Sequence, residues 1–420
     1  MTERQGTPLA RRLGVRDAVT IGLGSMIGAG IFAAFTPAAA AAGSGLLVGL
    51  ALAAGVAYCN ATASAQLAAQ HPDSGGTYVY GRRQLGPWWG FTAGWGFVVG
   101  KTASCAAMAL TAATYAVGGD ARARNVIAIA AVVGLTLVNL RGITRTARLS
   151  RLLVVATVTS LGVVVLLVLV ANRDWHSPVE AAGDWTAYGV LQSAGLLFFA
   201  FAGYARIATL GEEVREPATT IPRAIPRALG LVVALYAVVA LVLLVTIGAA
   251  GIAGSALPLQ SATDQAGVSW VGGLLRLGAV LASLGALLGL IAGVGRTALA
   301  MAREGDLPRP LAAVDAANAV PHVAQLAVCA VVILLVVLTD LRQTIGFSSF
   351  GVLVYYGIAN AAAISQPPAQ RRWPRGLHVA GLLGCVVLAL TLPASAVLAG
   401  GVVLAAGIAG RMAVLRLRAA

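Results

Sequence analysis

Residues 152–171 read Leu-Leu-Val-Val-Ala-Thr-Val-Thr-Ser-Leu-Gly-Val-Val-Val-Leu-Leu-Val-Leu-Val-Ala, twenty positions without one charged side chain. About 20 such residues are what a helix needs to cross the hydrocarbon core of a bilayer, where every backbone polar group must be satisfied inside the segment itself. The run therefore dictates a membrane helix, and the rest of the chain is written in the same style. Only 10% of its residues are charged, where a water-soluble domain carries about 25%. The 51 glycines among 420 residues suit close helix packing and interrupted helices in lipid.

The same test predicts twelve spans, near residues 16–42, 45–69, 89–117, 125–140, 152–171, 187–210, 224–250, 271–300, 321–339, 343–364, 377–392 and 394–410. The basic residues before the first span are the flank of a membrane helix rather than of a cleaved leader, because the apolar spans continue one after another. Lys and Arg collect in cytoplasmic segments. With the amino terminus inside, 22 of the 28 arginines fall in inner segments, five in outer ones and Arg206 within a span. Both termini are thus expected to be cytoplasmic, in the cytoplasmic (inner) membrane. The net charge of +14 belongs to this scatter of loop arginines and forms no stripe for nucleic acid.

Cys59, Cys105, Cys329 and Cys385 lie far apart inside apolar runs with no metal-ligand spacing, so neither disulfides nor a metal site is expected. His71, His176, His322 and His378 fall at span ends, and no carboxylate pair lies within a span. Catalysis and cofactors are accordingly not expected.

Two spans carry interruptions. The first contains glycines at 22, 24, 28 and 30. Gly24 and Gly28 fit a helix-packing face, but Gly28, Ala29 and Gly30 are consecutive and face different ways, leaving the turn bare and cheap to unwind. A dinucleotide-type glycine loop fails on spacing and on the absence of a preceding strand. The sixth span has Gly203 in mid-membrane and Arg206 one turn later. Breaks at spans 1 and 6 point to a repeat of five helices plus five in inverted topology, with a ligand held between the breaks. The chain then divides into a first repeat over 1–171, a second over 172–368, and two extra helices with a tail over 369–420. The candidate binding positions are Ser25, Met26, Ile27, Gly28, Ala29 and Gly30 on the first break and Phe199, Ala200, Ala202 and Gly203 on the second. Free amides at a half-helix amino end favour a carboxylate and freed carbonyls favour an ammonium group. A zwitterionic amino acid presents both.

Several stretches resemble the amino acid, polyamine and organocation (APC) superfamily of secondary transporters. They are Gly24-Ser-Met-Ile-Gly-Ala-Gly-Ile-Phe32, Pro72-Asp-Ser-Gly-Gly-Thr-Tyr-Val-Tyr-Gly81, Phe198-Phe-Ala-Phe-Ala-Gly-Tyr204, Glu212-Glu-Val-Arg-Glu-Pro217 with Ile221-Pro-Arg-Ala224, and Met301-Ala-Arg-Glu-Gly-Asp-Leu-Pro308. The resemblance implies an alternating-access permease, a symporter or antiporter. It also implies that the Ala29 and Gly30 amides meet the substrate carboxylate and that carbonyls of Met26, Phe199 and Ala202 meet its ammonium group. Phe199 matches an aromatic gate over the site; the competing reading is ordinary packing. Thr157 falls where cationic amino acid transporters of the superfamily carry a lysine in helix 5, and Ala205 falls where they carry a carboxylate.

Lys101 is the single lysine and lies in the middle of the third span. A charge at that depth costs about 2.5–3.5 kcal/mol on insertion scales, so such groups usually face a cavity and act there. Two readings stand. Lys101 takes the place of the absent helix 5 lysine and carries a coupling proton, or it is a fixed ammonium on carbonyls freed by the helix 1 break. Arg206 must be paired; Glu213, seven residues on, is the expected partner in an inner gate, and an acidic substrate side chain is the alternative. Span 8 offers Ser283 and Thr297 without an adjacent hydroxyl pair, which favours proton coupling or exchange over sodium. Neutral amino acids are the expected substrates because no span core holds a carboxylate; a polyamine or cationic amino acid is the alternative. A channel lacks its pore ring, and a major-facilitator carrier would not show breaks at spans 1 and 6.

Overall fold

The structure is a computed structural model that describes residues 13–71, 75–118, 120–141, 146–173, 185–208, 214–315 and 317–419. Its regular elements are helices: α1 (Val15–Met26), α2 (Ala29–Ala33), α3 (Phe35–Ala42), α4 (Leu46–Gln70), α5 (Thr77–Leu85), α6 (Pro87–Val117), α7 (Ala121–Leu140), α8 (Thr146–Ala171), α9 (Ala187–Phe201), α10 (Ala205–Ala208), α11 (Pro217–Gly254), α12 (Pro258–Gln265), α13 (Gly272–Arg303), α14 (His322–Leu338), α15 (Leu341–Ser365), α16 (Arg375–Thr391) and α17 (Ala394–Ala419). Among the described residues, ten segments are long and apolar enough to cross a membrane, and α14 and α16 are shorter apolar helices. The protein is an all-helical, multi-pass membrane protein.

The helix at the centre is α6, which packs along both α13 and α15. Its crossing with α15 is made by small residues: a side chain at Gly96 would meet the Gly351 carbonyl at 3.0 Å, and one at Gly100 would meet the Gly351 Cα at 3.1 Å. In lipid, where apolar side chains gain little by leaving the solvent, such close backbone approach supplies the packing energy. The outer faces of α8, α14, α16 and α17 expose Leu166, Leu334, Leu383 and Leu398, as a lipid-facing surface does.

The sequence did not anticipate three features. The seventh span begins at Pro217 rather than near 224, because a proline at the first helical position starts the helix there. The same helix is interrupted at Gly248, whose φ of 68° is a left-handed conformation that glycine alone adopts cheaply. Third, the segment between α4 and α6 folds into the short helix α5. The start of α1 is tied to the segment before α11, the Arg215 amide donating to the Leu13 carbonyl at 2.9 Å, so α1 and α11 begin at the same end of the bundle.

Candidate functional site

The two expected interruptions are present. Helix α1 stops at Met26; Ile27 (φ −79°, ψ 76°) and Gly28 (φ −129°, ψ −139°) leave the helical region, and winding resumes at Ala29. Ala34 stays helical between α2 and α3, so the half-helix that opens at Ala29 runs on through Ala42. Its first-turn amides have no intrahelical acceptors. On the other side α9 ends at Phe201, Ala202–Tyr204 form a turn, and α10 follows.

The breaks lie against each other, backbone to backbone. A Cβ at Gly203 would sit 2.2 Å from the Ser25 carbonyl oxygen and 2.6 Å from the Met26 nitrogen, and one at Gly30 would sit 2.5 Å from the Ala200 Cα. At Gly28 the neighbours are Ala286 of α13 and the tip of Met108 of α6. Small residues are therefore needed at these positions because another main chain occupies the space.

Side chains from α6, α11 and α15 hold carbonyls at and next to the breaks. The Tyr236 hydroxyl of α11 lies 2.7 Å from the Met26 carbonyl and 3.1 Å from the Ala200 carbonyl, so its single proton is shared between the two breaks. Lys101 Nζ donates to the Ala202 carbonyl at 3.0 Å, and the Tyr356 hydroxyl of α15 donates to the same oxygen at 3.3 Å. The Phe32 carbonyl accepts from Tyr115 at 3.3 Å. Lys101 is buried. Its partner corrects the structural expectation for this residue: the carbonyl that it meets belongs to the helix 6 break, not to the helix 1 break.

Of the other expected residues, Ile27, Ala29, Ala200 and Ala202 are buried at the breaks. The Ser25 hydroxyl turns back onto the Ile21 carbonyl of its own helix at 2.9 Å. Phe199 is buried inside α9, two residues before its end, and does not face lipid. Thr157 is fully buried and makes a long contact of 3.5 Å to the Gly278 carbonyl of α13, so it faces a different element from Lys101. The Arg206 amide closes the second break by donating to the Gly203 carbonyl at 3.0 Å. Glu213, its expected partner, lies outside the described residues.

Tyr236 and Tyr356 were not singled out from the sequence. Tyr236 stands alone as an aromatic hydroxyl in the aliphatic run 229–245. A phenol so placed needs an acceptor, which was the available signal.

The model of a family described as amino acid permease matches residues 13–411. This chain belongs to that family. It is 57% identical to a protein of Mycobacterium tuberculosis named only as an uncharacterized transporter, over 96% of this chain and 90% of the relative. It is 29% identical to the branched-chain amino acid permease BcaP of Bacillus subtilis, over 91% and 88% of the two chains. It is 27% identical to the vacuolar cationic amino acid transporter 2 of Arabidopsis thaliana, over 90% of this chain and 63% of that one.

The tyrosine bridge gives this permease a testable joint. Tyr236→Phe keeps the ring and removes the donor; the Met26 carbonyl keeps the Gly28 amide at 2.9 Å, but the side-chain bridge to the Ala200 carbonyl is lost, at a cost of about 1–3 kcal/mol. Initial uptake per folded molecule is expected to fall about tenfold or more. Uptake equal to wild type would show that the bridge is dispensable.

Proposed function

We propose that the protein is a secondary active transporter that carries neutral amino acids across the cytoplasmic membrane by alternating access, with both termini cytoplasmic. The carrying observation is the pair of broken helices packed on each other, with the carbonyls of Met26 and Ala200, joined by Tyr236, next to the half-helix amino end at Ala29 and Gly30. The α-carboxylate is held by the Ala29 and Gly30 amides and the α-ammonium group by the released carbonyls. Phe199 closes over the occupied site. The 17-residue helices α14 and α16 complete a set of twelve spans, since at 1.5 Å per residue each covers about 26 Å of a bilayer core of about 30 Å. Residues 1–171 and 172–368 act as the two inverted repeats, and 369–420 add the last two helices.

The substrate class follows from charge. Helices α2, α6, α9, α13 and α15 contain no Asp or Glu, and a basic side chain, Lys101, is hydrogen-bonded to the second break. A dibasic side chain would find no counter-charge there and one like charge. Beside Gly28 stand Ala286 and Met108, which favours an aliphatic substrate side chain. The likeness to a branched-chain permease supports this reading over the weaker likeness to a cationic transporter.

Coupling rests on Lys101. An ammonium group on the Ala202 carbonyl restrains the helix 6 break, and loss of its proton weakens that hold, so proton binding and the shape of the break are linked. Purified protein in liposomes is expected to take up branched-chain amino acids in a saturable manner, to show counterflow, and to accumulate them on an imposed proton gradient but not on a sodium gradient. Lys101→Gln is expected to abolish accumulation on the proton gradient while retaining counterflow. Wild-type accumulation by Lys101→Gln would overturn the coupling role; absence of saturable amino acid uptake in the wild type would overturn the function.

A further inference from the structure

Away from the breaks, a cleft of about 630 Å³ opens between α1 and α11, its walls including Arg16, Val19 and Thr20 on one side and Arg227, Gly230 and Leu231 on the other. The two walls have the same order. On each helix an arginine is followed, three and four residues later, by the residues that form the deeper wall, and positions so spaced stack on one helix face. Arg16 lies in the first turn of α1 and Arg227 ten residues into α11, both lining the cleft, and because α1 and α11 start at the same end of the bundle the wall residues on each helix lie one turn further from that end. Arg16, Arg227 and Leu231 are exposed.

Neither guanidinium has a hydrogen-bond or ion-pair partner among the described residues. The nearby acid, Asp17, accepts from the Gly14 amide at 3.1 Å. The Thr20 hydroxyl is likewise committed, donating to the Arg16 carbonyl at 3.0 Å. A cleft that sets two exposed arginines, without partners among the described residues, beside an aliphatic wall is complementary to a molecule with an anionic head and an apolar tail. Arginine suits a phosphate because its fork presents paired donors. Gly230 leaves the wall smooth, since a Cβ built there meets no atom within 4 Å.

We propose that this cleft binds one anionic phospholipid, its phosphate between Arg16 and Arg227 and an acyl chain along Val19, Gly230 and Leu231. The site is also placed to act on transport. Beside the cleft, Gly22 of α1 lies tightly against Ile207 of α10 and Ala228 of α11, the residue that follows Arg227, so the lipid wedges beside the contact between the half-helices that flank both breaks. An occupied cleft then limits how far α1 can swing from α11. That consequence rests on the transport reading above, whereas lipid binding itself does not.

The test uses the full chain, reconstituted in phosphatidylcholine vesicles containing a minor fraction of phosphatidylglycerol, re-extracted in mild detergent and examined by native mass spectrometry. Wild type is expected to retain one phosphatidylglycerol. Arginines near an anionic lipid surface contribute about 1 kcal/mol each, so R16Q/R227Q is expected to hold the lipid about 30-fold more weakly. Gly230→Trp keeps both cations but fills the wall, and it is expected to lose the lipid as well. Arg309→Gln, which removes an exposed arginine elsewhere, is expected to retain it. The proposal is overturned if R16Q/R227Q and Gly230→Trp hold phosphatidylglycerol as wild type does, or if phosphatidylcholine is retained equally. It is also overturned if excess inorganic phosphate strips the lipid from wild type, which would mark a site for free anions. Transport is a separate readout: adding phosphatidylglycerol should change the uptake rate of wild type but not of the two cleft variants.

Discussion

Replacing Gly203 with alanine is expected to cut amino acid uptake about a hundredfold per folded molecule. The added methyl would sit 2.2 Å from the Ser25 carbonyl oxygen and 2.6 Å from the Met26 nitrogen, distances that no real Cβ tolerates. Neither obstacle is a flexible side-chain tip that can rotate away. Both are main-chain atoms of the first break, so the breaks must separate for the methyl to fit. Overpacking of this kind costs about 1–3 kcal/mol, and the upper value corresponds to about two orders of magnitude in the population of the closed arrangement. Gly203 is not among the positive-φ glycines, so the loss comes from contact between the breaks and not from backbone strain. Gly30→Ala meets the Ala200 backbone in the same way and should behave alike. Gly289→Ala and Gly293→Ala, where no atom lies within 4 Å, should leave uptake unchanged. The measurement is initial uptake of a labelled branched-chain amino acid into liposomes with matched protein content. Half of wild-type uptake by Gly203→Ala would mean that the breaks need not close on each other.

What could be read in the sequence was whatever apolar length and glycine spacing encode. The run 152–171 could be nothing but a membrane helix, and Gly28-Ala-Gly30 and Gly203 announced the breaks because a bare turn in lipid has to be explained. The partners of those breaks were not legible. Tyr236 is 33 residues from Gly203 and more than 200 from Met26, and no local pattern says that its hydroxyl reaches both. Lys101 was legible as a problem, since a buried cation must find an acceptor. Which break supplies that acceptor depends on where α6 sets Lys101, and the acceptor is the Ala202 carbonyl of the helix 6 break instead of a carbonyl of the helix 1 break. The short helix α5 was missed for a related reason. Its apolar residues, Tyr78 and Tyr80, are buried against other elements rather than along a span, so no periodic stripe of membrane length marked it.

Substituting Asp306 is expected to be the most destabilising single change at the arginine-rich end of the bundle. Its carboxylate, almost fully buried, receives the Tyr78 hydroxyl at 2.9 Å and Arg82 Nη1 at 3.1 Å on one oxygen and Arg411 Nη2 at 2.9 Å on the other. Burial, together with the adjacent carboxylate, pushes the Tyr78 hydroxyl above its usual range, which keeps it a donor. Arg82 has a second, half-exposed partner in Glu304 at 3.0 Å, but Arg411 has no other acid among its described partners. Arg411 Nη1 donates to the Pro87 carbonyl at 2.7 Å, and its guanidinium lies over the rings of Trp88 and Phe91, 4.6 and 4.8 Å from their centroids. One carboxylate thus fastens α17 to α5, to the start of α6 and to the segment after α13. Asp306→Ala leaves the Arg411 charge buried beside aromatic rings without its anion, a loss of about 3–5 kcal/mol. Asp306→Asn, which preserves the shape and part of the hydrogen bonding, should cost less. The decisive comparison is the cycle with Arg411→Met: because removing both charges is far less costly than removing one, Asp306→Ala/Arg411→Met should recover most of the stability lost by Asp306→Ala alone. Reversible unfolding in mixed detergent micelles measures each corner. If the losses simply add, Arg411 does not depend on Asp306, and the fastening of α17 resides in its ring contacts instead.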